Sequence, residues 1–115
     1  MKALSRKELL EMYDWVSTFS EGLAVARKGN KWFHICADGT PAYNERYDFV
    51  GHFSESLAIA RKNNKCFHIR TNGKPAYKKR FVSVHSFLDG IAVVHERSQA
   101  FHIRADGTRM EESHE

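Results

Sequence analysis

The tripeptide Phe-His-Ile occurs three times, at residues 33–35, 67–69 and 101–103, and each copy begins 34 residues after the one before. A fixed period of this length is typical of a chain that repeats one supersecondary unit. The same period relates further residues, and we expect equivalent positions to bury the same face in every unit. The predicted structural slots are Phe19, Phe53 and Phe87; Phe33, Phe67 and Phe101; Ile35, Ile69 and Ile103; and Gly39, Gly73 and Gly107.

Length and composition favour one folded domain. The chain has 115 residues, of which 42% are hydrophobic and 12% aromatic, a composition too apolar for a disordered segment. Its net charge of +4 favours anionic partners through long-range attraction. Since no stretch approaches the roughly 20 apolar residues of a membrane span, we expect no membrane contact.

The cysteines and the N-terminus predict a cytoplasmic protein. Cys36 and Cys66 occupy different slots of the repeat, whereas a disulfide framework would use one slot consistently. They are therefore interpreted as free thiols in a reducing compartment. The first seven residues lead into alternating charge and leucine, a pattern unlike a signal peptide.

Alternating apolar residues predict a three-stranded antiparallel meander in each unit. In the first unit, one strand contains Phe19 and residues 23–26, and a second covers Lys31 to Ala37. Turns are predicted at Gly29-Asn30 and at Asp38-Gly39, and the third unit, which lacks such residues at 96–99, is expected to have a looser first turn. A short third strand is predicted over Thr40–Tyr43 and Lys74–Tyr77, at a sheet edge because it contains Pro41 or Pro75.

The N-terminal residues depart from the repeat and predict a helix. Ser5 and Glu8 have the spacing of a capping box. A helix from Arg6 to about Met12, with Leu9, Leu10 and Met12 on one side, would cover the exposed end of the array. The predicted domains are a capping helix at 1–12, a β domain at 13–110 with units 13–46, 47–80 and 81–110, and a polar tail at 111–115.

The predicted fold is therefore all-β, with three tandem repeats and a short N-terminal helix. Two arrangements fit: an open, solenoid-like stack, or closure around an axis as in a propeller or trefoil. Three short blades are too few for a propeller, which takes roughly four or more. Two chains would supply six, so a homodimer is a further hypothesis.

The segment from Tyr13 to Val25, followed by Lys31–Ile35 and Asp38-Gly39, resembles the WG-repeat proteins. The chain departs from their Trp-Gly signature, because phenylalanine stands in the glycine position and the tryptophan survives only as Trp32. A Phe-His-Ile variety of the family is the better match. The resemblance implies an all-β repeat that acts as a binding module, and it supplies no catalytic residue.

The repeated histidines suggest two interpretations. Three imidazoles are a common ligand set for zinc, but His34, His68 and His102 lie one unit apart. Stacked sheets are roughly 10 Å apart, whereas zinc needs its ligands within about 2.1 Å of the ion. We therefore favour a structural histidine beside a tyrosine or a backbone carbonyl, and predict no metal and no cofactor.

The repeated arginines also suggest two interpretations. Arg46 and Arg80 could cap loop carbonyls or pair with a neighbouring acid, or they could form a column with tyrosines that binds phosphate or bases. Acidic residues recur as regularly, which favours the structural role. Nucleophile, metalloprotease, phosphate-loop and CxxC motifs are absent from the sequence, so we predict that the chain is not an enzyme.

Three binding functions remain from the sequence. Protein–protein interaction is the first hypothesis, nucleic-acid binding through the basic hairpins of the first two units is the second, and recognition of a sugar or nucleotide is the third. The candidate binding residues are basic or aromatic: Arg27, Lys28, Arg61, Lys62, Lys79, Arg80, Tyr43, Tyr77, Arg46 and Trp32.

Overall fold

The computed structural model describes residues 2–110, and the predicted polar tail at 111–115 lies outside the described residues. This part of the chain contains one helix and nine strands. The elements are α1 (Arg6–Met12), β1 (Trp15–Ser20), β2 (Leu23–Lys28), β3 (Lys31–Ile35), β4 (Phe49–Ser54), β5 (Leu57–Lys62), β6 (Lys65–Ile69), β7 (Ser83–Val84), β8 (Ala92–Glu96) and β9 (Gln99–Ile103).

Three consecutive strands form each sheet. The orders are β1-β2-β3, β4-β5-β6 and β7-β8-β9, and every pairing is antiparallel. The first and second sheets share one register, since Ala24 pairs with Ile35 as Ala58 pairs with Ile69. The predicted all-β meander repeat is confirmed.

The identity of the third strand in each unit differs from the prediction. Residues 40–43 and 74–77 form no strand; each segment contributes a single bridge, from Pro41 to Ile35 and from Pro75 to Ile69. The predicted first strand, with Phe19 and residues 23–26 together, is instead divided by a turn at residues 21–22, so that Phe19 lies in β1 and residues 23–26 lie in β2. That prediction was therefore wrong, and the third strand of each unit is the one that comes first, as β1, β4 or β7. Proline cannot donate to a ladder, which explains why pairing stops at one bridge.

The turn between the second and third strands has two residues in every unit. Asn63 and Asn64 adopt φ angles of 53° and 66°, a region that asparagine tolerates. In the third unit Glu96 pairs with Gln99, and Arg97 adopts φ 51°. The prediction of a looser third turn was therefore wrong, because an arginine accepts the left-handed conformation there.

The N-terminal helix is confirmed together with its capping box. Ser5 Oγ accepts from the N–H of Glu8, whose carboxylate accepts from the N–H of Ser5. Of the three apolar residues expected on one side, Leu9 is buried while Leu10 and Met12 are exposed. Leu9 stands 34 residues before Tyr43, so the helix fills the place that a preceding unit's loop would take.

The three sheets form an open row. The first sheet packs on the second through β2, β3 and β4, and the second packs on the third through β6 and β7. The principal-axis extents are 56 × 26 × 18 Å, which describe an elongated body. Residues 2–110 therefore adopt the open, solenoid-like arrangement, and the three units of this part of the chain do not close into a ring.

Most of the predicted structural slots lie in the core, but one does not. Ile35, Ile69 and Ile103 are fully buried, Phe33 and Phe67 are buried, and Phe101 is partly buried. Phe53 and Phe87 are 2% and 1% exposed, whereas Phe19 is 42% exposed. The equivalents of Phe19 pack on a histidine of the preceding unit, and Phe19 belongs to the first unit. Its prediction as a buried slot was therefore wrong.

The repeated glycines serve packing as well as turns. Gly73 and Gly107 are buried, with φ angles of 83° and 85°. A Cβ added to Gly73 would lie 2.3 Å from Cγ of Tyr43, and one added to Gly107 would lie 2.6 Å from Cγ of Tyr77. The turn conformation and the tyrosine of the preceding unit therefore both require glycine.

Within residues 2–110, no helix combines the length and the apolar character that a bilayer crossing demands.

Candidate binding surface

The histidines of the repeat join neighbouring units. Nδ1 of His34 lies 2.6 Å from the hydroxyl of Tyr43 in the same unit, and Nε2 lies 2.8 Å from the carbonyl oxygen of Gly51 in the next. The ring also packs on Phe53 of the next unit, with centroids 4.4 Å apart. His68 repeats these contacts with Tyr77, with the carbonyl of His85 and with Phe87.

These partners define the tautomer of both buried histidines. A carbonyl oxygen only accepts, so Nε2 donates to it and Nδ1 accepts the tyrosine proton. Burial lowers the pKa of His34 and of His68 to about 4, which keeps both rings neutral at pH 7. The predicted structural role, beside a tyrosine and a backbone carbonyl, is confirmed for these two residues.

His102 differs because no unit follows it within residues 2–110. Its side chain is exposed, and residue 111, where the tyrosine of the repeat would stand, is glutamate. The third histidine therefore lies on an uncovered end face.

The predicted binding tyrosines are placed in the core. Tyr43 and Tyr77 are buried, and burial raises the pKa of each hydroxyl above its ordinary value. Each hydroxyl is occupied by a histidine, so the expectation that these tyrosines flank an exposed surface is corrected. A sugar or nucleotide site built from Tyr43, Tyr77 and Arg46 loses its two aromatic members.

The repeated arginines stack on the phenylalanine of the tripeptide. The guanidinium carbon of Arg46 lies 3.9 Å from the ring centroid of Phe33, and Arg80 lies at the same distance from Phe67. Arg46 also donates to the carbonyls of Tyr43 and Glu45, and Arg80 donates to those of residues 77, 78 and 79. The interpretation that these arginines cap loop carbonyls is confirmed.

Trp15, Trp32 and Phe49 form a continuous aromatic row across the boundary between the first two units. The ring centroids of Trp15 and Trp32 are 5.8 Å apart, and those of Trp32 and Phe49 are 5.2 Å apart. Trp15 is 41% exposed and Phe49 is 37% exposed, while Trp32 is half-buried between them. The row presents an apolar strip to solvent.

Basic side chains border the aromatic row. Arg27 pairs with both Trp15 and Trp32 across the first sheet, and Arg61 pairs with Phe49 across the second. The guanidinium carbon of Arg61 lies 6.0 Å from the Phe49 ring centroid. The following Lys28 and Lys62 are exposed beside the turns that close their hairpins. Four predicted residues, Arg27, Lys28, Arg61 and Lys62, thus lie along one edge with Trp32.

Lys79 and Arg80 lie in the exposed segment after the second sheet, and the carbonyl of Lys79 accepts from Arg80.

The aromatic row ends before the third unit. Ser83 occupies the slot of Trp15 and Phe49, and Ala100 occupies the slot of Trp32 and Cys66. His95 replaces Arg27 and Arg61. The first two units therefore carry the aromatic and basic surface, and the third unit has different chemistry at the same positions.

Two members of the row, Trp15 and Phe49, were missed in the sequence. Both precede the first predicted strand of their unit, in segments where no strand was predicted. Their 34-residue spacing was the available signal, and the alternation of Trp15 with Val16 and Phe49 with Val50 would have extended it to a strand.

A shallow depression of about 450 Å³ lies between the second and third units. It is lined by residues of the opposite sheet end, including Glu55, Arg70 and Asp106. It contains none of the predicted binding residues, so it gives the small-ligand hypothesis no new support.

One family model matches segments in the first two units of the chain. The family model described as WG containing repeat matches residues 6–32 and 46–66 of the chain. This match supports the resemblance of the chain to the WG-repeat family. The matched segments cover parts of the first two units and include all three residues of the aromatic row. No curated protein and no solved structure matches the chain.

Proposed function

We propose that the chain is a non-enzymatic WG-repeat module, of the Phe-His-Ile variety, that binds another protein through the aromatic row. The observation that carries the proposal is the continuous contact of Trp15, Trp32 and Phe49 beside Arg27 and Arg61. Protein interfaces concentrate binding energy in tryptophan, tyrosine and arginine. Burying this strip removes apolar area from water, at roughly 25 cal/mol per Å².

The chemistry of the surface indicates the kind of partner. The apolar strip favours aliphatic or aromatic side chains, and its basic border favours carboxylates, because guanidinium groups pair with them through charge-assisted hydrogen bonds. A protein segment that combines acidic and apolar residues fits both features. Exposed charges chiefly steer association, so the affinity of such a partner would depend moderately on salt.

The remaining properties support a binding role without catalysis. Burial raises the pKa of the Cys66 thiol, which reduces the fraction present as the nucleophilic thiolate at neutral pH. Cys36 and Cys66 are both free thiols, and this state favours the reducing cytoplasm as the compartment.

The repeat itself supplies the variants that test this function. Trp15→Ser and Trp32→Ala place in the first unit the residues that the third unit has at the same slots, Ser83 and Ala100. Leu88→Ser is a matched control, because Leu88 is an exposed apolar residue outside the row and its equivalents are Ser20 and Ser54. All variants should retain the β-rich circular dichroism spectrum of the parent.

Binding is measured by quantitative affinity enrichment with nuclease treatment, followed by titration of the purified partner. The double variant W15S/W32A should lose a protein that the parent and L88S both retain, with a Kd at least about tenfold weaker, since truncated aromatic anchors cost about 2 kcal/mol or more. Equal affinity of the parent and the double variant would contradict the proposal.

Nucleic-acid binding is the second candidate, because aromatic and basic residues lie side by side along one edge. The tilted contacts, with interplanar angles of 54° and 51°, favour a continuous strip over separate stacking platforms. Arg61→Ala and Lys62→Ala would test it in a gel-shift experiment with single-stranded RNA. Affinity that falls steeply with salt and falls again in both variants would favour this candidate over the first.

A further inference from the structure

Two histidines of the third unit meet at their ring nitrogens. Nε2 of His85 lies 3.2 Å from Nε2 of His95. The ring centroids are 5.3 Å apart and the rings are tilted by 50°, so the contact is made through the nitrogens rather than by stacking. His85 is exposed and His95 is half-buried, which leaves the pair accessible from solvent.

The backbone holds both residues on one face of the third sheet. His85 directly follows β7, and its N–H donates to the carbonyl of Val93 at 2.9 Å. His95 lies two residues beyond Val93 in β8, where successive side chains alternate between faces, and it pairs with Ser83. The strand pairing therefore places the two imidazoles side by side on one face of the sheet.

The spacing of the two nitrogens matches that of two ligands on one metal ion. Nitrogens that each lie about 2.0–2.1 Å from a tetrahedral zinc ion are about 3.3–3.4 Å apart. We propose that His85 and His95 bind a divalent transition-metal ion, such as Zn²⁺, on the end face of the third unit. Imidazole is also a favoured ligand of Cu²⁺ and Ni²⁺.

Metal binding by a pair of neutral rings requires a change of tautomer in one ring and releases no proton. In a neutral pair without metal, Nε2–H of one ring donates to the Nε2 lone pair of the other. With metal, both Nε2 atoms offer lone pairs to the ion, and the donating ring carries its proton on Nδ1 instead. The His–His hydrogen bond is thereby exchanged for two metal–nitrogen bonds.

The site has two protein ligands. In the part of the chain from residue 2 to residue 110, no group of three or more His, Cys, Asp or Glu side chains is close enough to hold one ion. The remaining positions of a bound ion are left to water or to an added ligand. His102 lines the same depression as His85, on the uncovered end face.

The pair is specific to the third unit and is distinct from the histidines of the repeat. The second unit has Gly51 and Arg61 in the slots of His85 and His95. These two residues provide substitutions that the fold already accepts, His85→Gly and His95→Arg. His52→Gln is the matched control, because His52 is an exposed histidine of the second unit.

Isothermal titration of the full chain with Zn²⁺ at neutral pH should show one saturable site. H85G and H95R should each weaken binding by about tenfold or more, because each removes one of two chelating ligands, and H52Q should bind like the parent. Electron paramagnetic resonance with one equivalent of Cu²⁺ should show coupling to two imidazole nitrogens in the parent and H52Q.

Two results would overturn the proposal. One is zinc binding by H85G and H95R as tight as that of the parent, with the circular dichroism of all three unchanged. The other is a parent protein that shows neither saturable zinc binding nor two-nitrogen coupling to Cu²⁺.

Discussion

Tyr43 donates its hydroxyl proton to Nδ1 of His34 across 2.6 Å, and Nε2 of the same ring donates to the carbonyl of Gly51 in the next unit. The Gly51 carbonyl, which can only accept, thus determines that Nε2 carries the proton, and the tyrosine hydroxyl donates to the remaining nitrogen. Tyr77 and His68 repeat the arrangement between the second and third units. Stacking of the units therefore depends on this buried polar pair as well as on apolar packing.

Tyr43→Phe is expected to destabilise the protein by about 1–3 kcal/mol, because it leaves Nδ1 of His34 buried without a donor. Urea unfolding followed by circular dichroism measures the change. Tyr47→Phe is the comparison, since Phe81 occupies the same slot in the third unit; it also leaves a buried acceptor, the Gly73 carbonyl, without its donor and should cost a similar amount. No measurable loss of stability in Y43F would contradict the importance of the pair.

The stability of the fold should decrease as the pH falls from about 6.5 to 4. The pKa of both His34 and His68 is lowered by burial to about 4, against about 6.5 in the unfolded chain. The unfolded state therefore binds more protons in this window, and the stabilisation is complete above pH 6.5. The loss should be on the order of a few kcal/mol in total.

Urea unfolding at a series of pH values tests this dependence. His34→Gln keeps an N–H donor for the Gly51 carbonyl and removes one titrating ring. The variant should be less stable at pH 7 but show a shallower decline towards pH 4. An unchanged slope would show that other groups cause the acid sensitivity.

Gly73→Ala should be far more disruptive than an alanine at a glycine in an open turn. At Gly73 the new Cβ would lie 2.3 Å from Cγ of Tyr43, in a backbone with φ 83°. Gly22 has a similar φ of 81° but nothing within 4 Å of the added Cβ. G22A should cost about 1–2 kcal/mol for conformation alone, and G73A should cost at least about 2 kcal/mol more through steric overlap. Thermal melting of both variants provides the comparison.

Glu55→Ala should loosen the contact between the second and third units. The Glu55 carboxylate accepts from the backbone N–H groups of Asp89 and Gly90, as Glu21 accepts from those of Glu55 and Ser56. Loss of two charge-assisted bonds at an exposed turn should cost about 1–2 kcal/mol.

Hydrogen exchange of the Asp89 and Gly90 amides is the direct measurement, and both should exchange faster in E55A. Glu21→Ala is the control, because it removes the equivalent bonds to the amides of Glu55 and Ser56 and leaves the amides of Asp89 and Gly90 unchanged. Unchanged protection of these two amides in E55A would argue against the contact.

The sequence alone determined the features that depend on local pattern and on the period. The 34-residue spacing defined three all-β units, and the Ser5–Glu8 spacing defined the N-terminal helix, because a capping box acts within one turn. The burial of Phe33 and Ile35 and the carbonyl contacts of Arg46 also followed from their positions in the unit.

Tertiary structure alone decided which residues the neighbouring unit covers. Phe19 and Phe53 occupy one slot, yet only Phe53 has a preceding histidine to pack against. Tyr43 was predicted to lie at a binding surface, but it is buried, and His34 accepts the proton of its hydroxyl in the core. Trp15, Trp32 and Phe49 are distant in sequence and become one surface only when the first two sheets stack. Whether a residue is buried therefore depends on the stacking of the three sheets, because the face of one unit is covered by residues of the next unit.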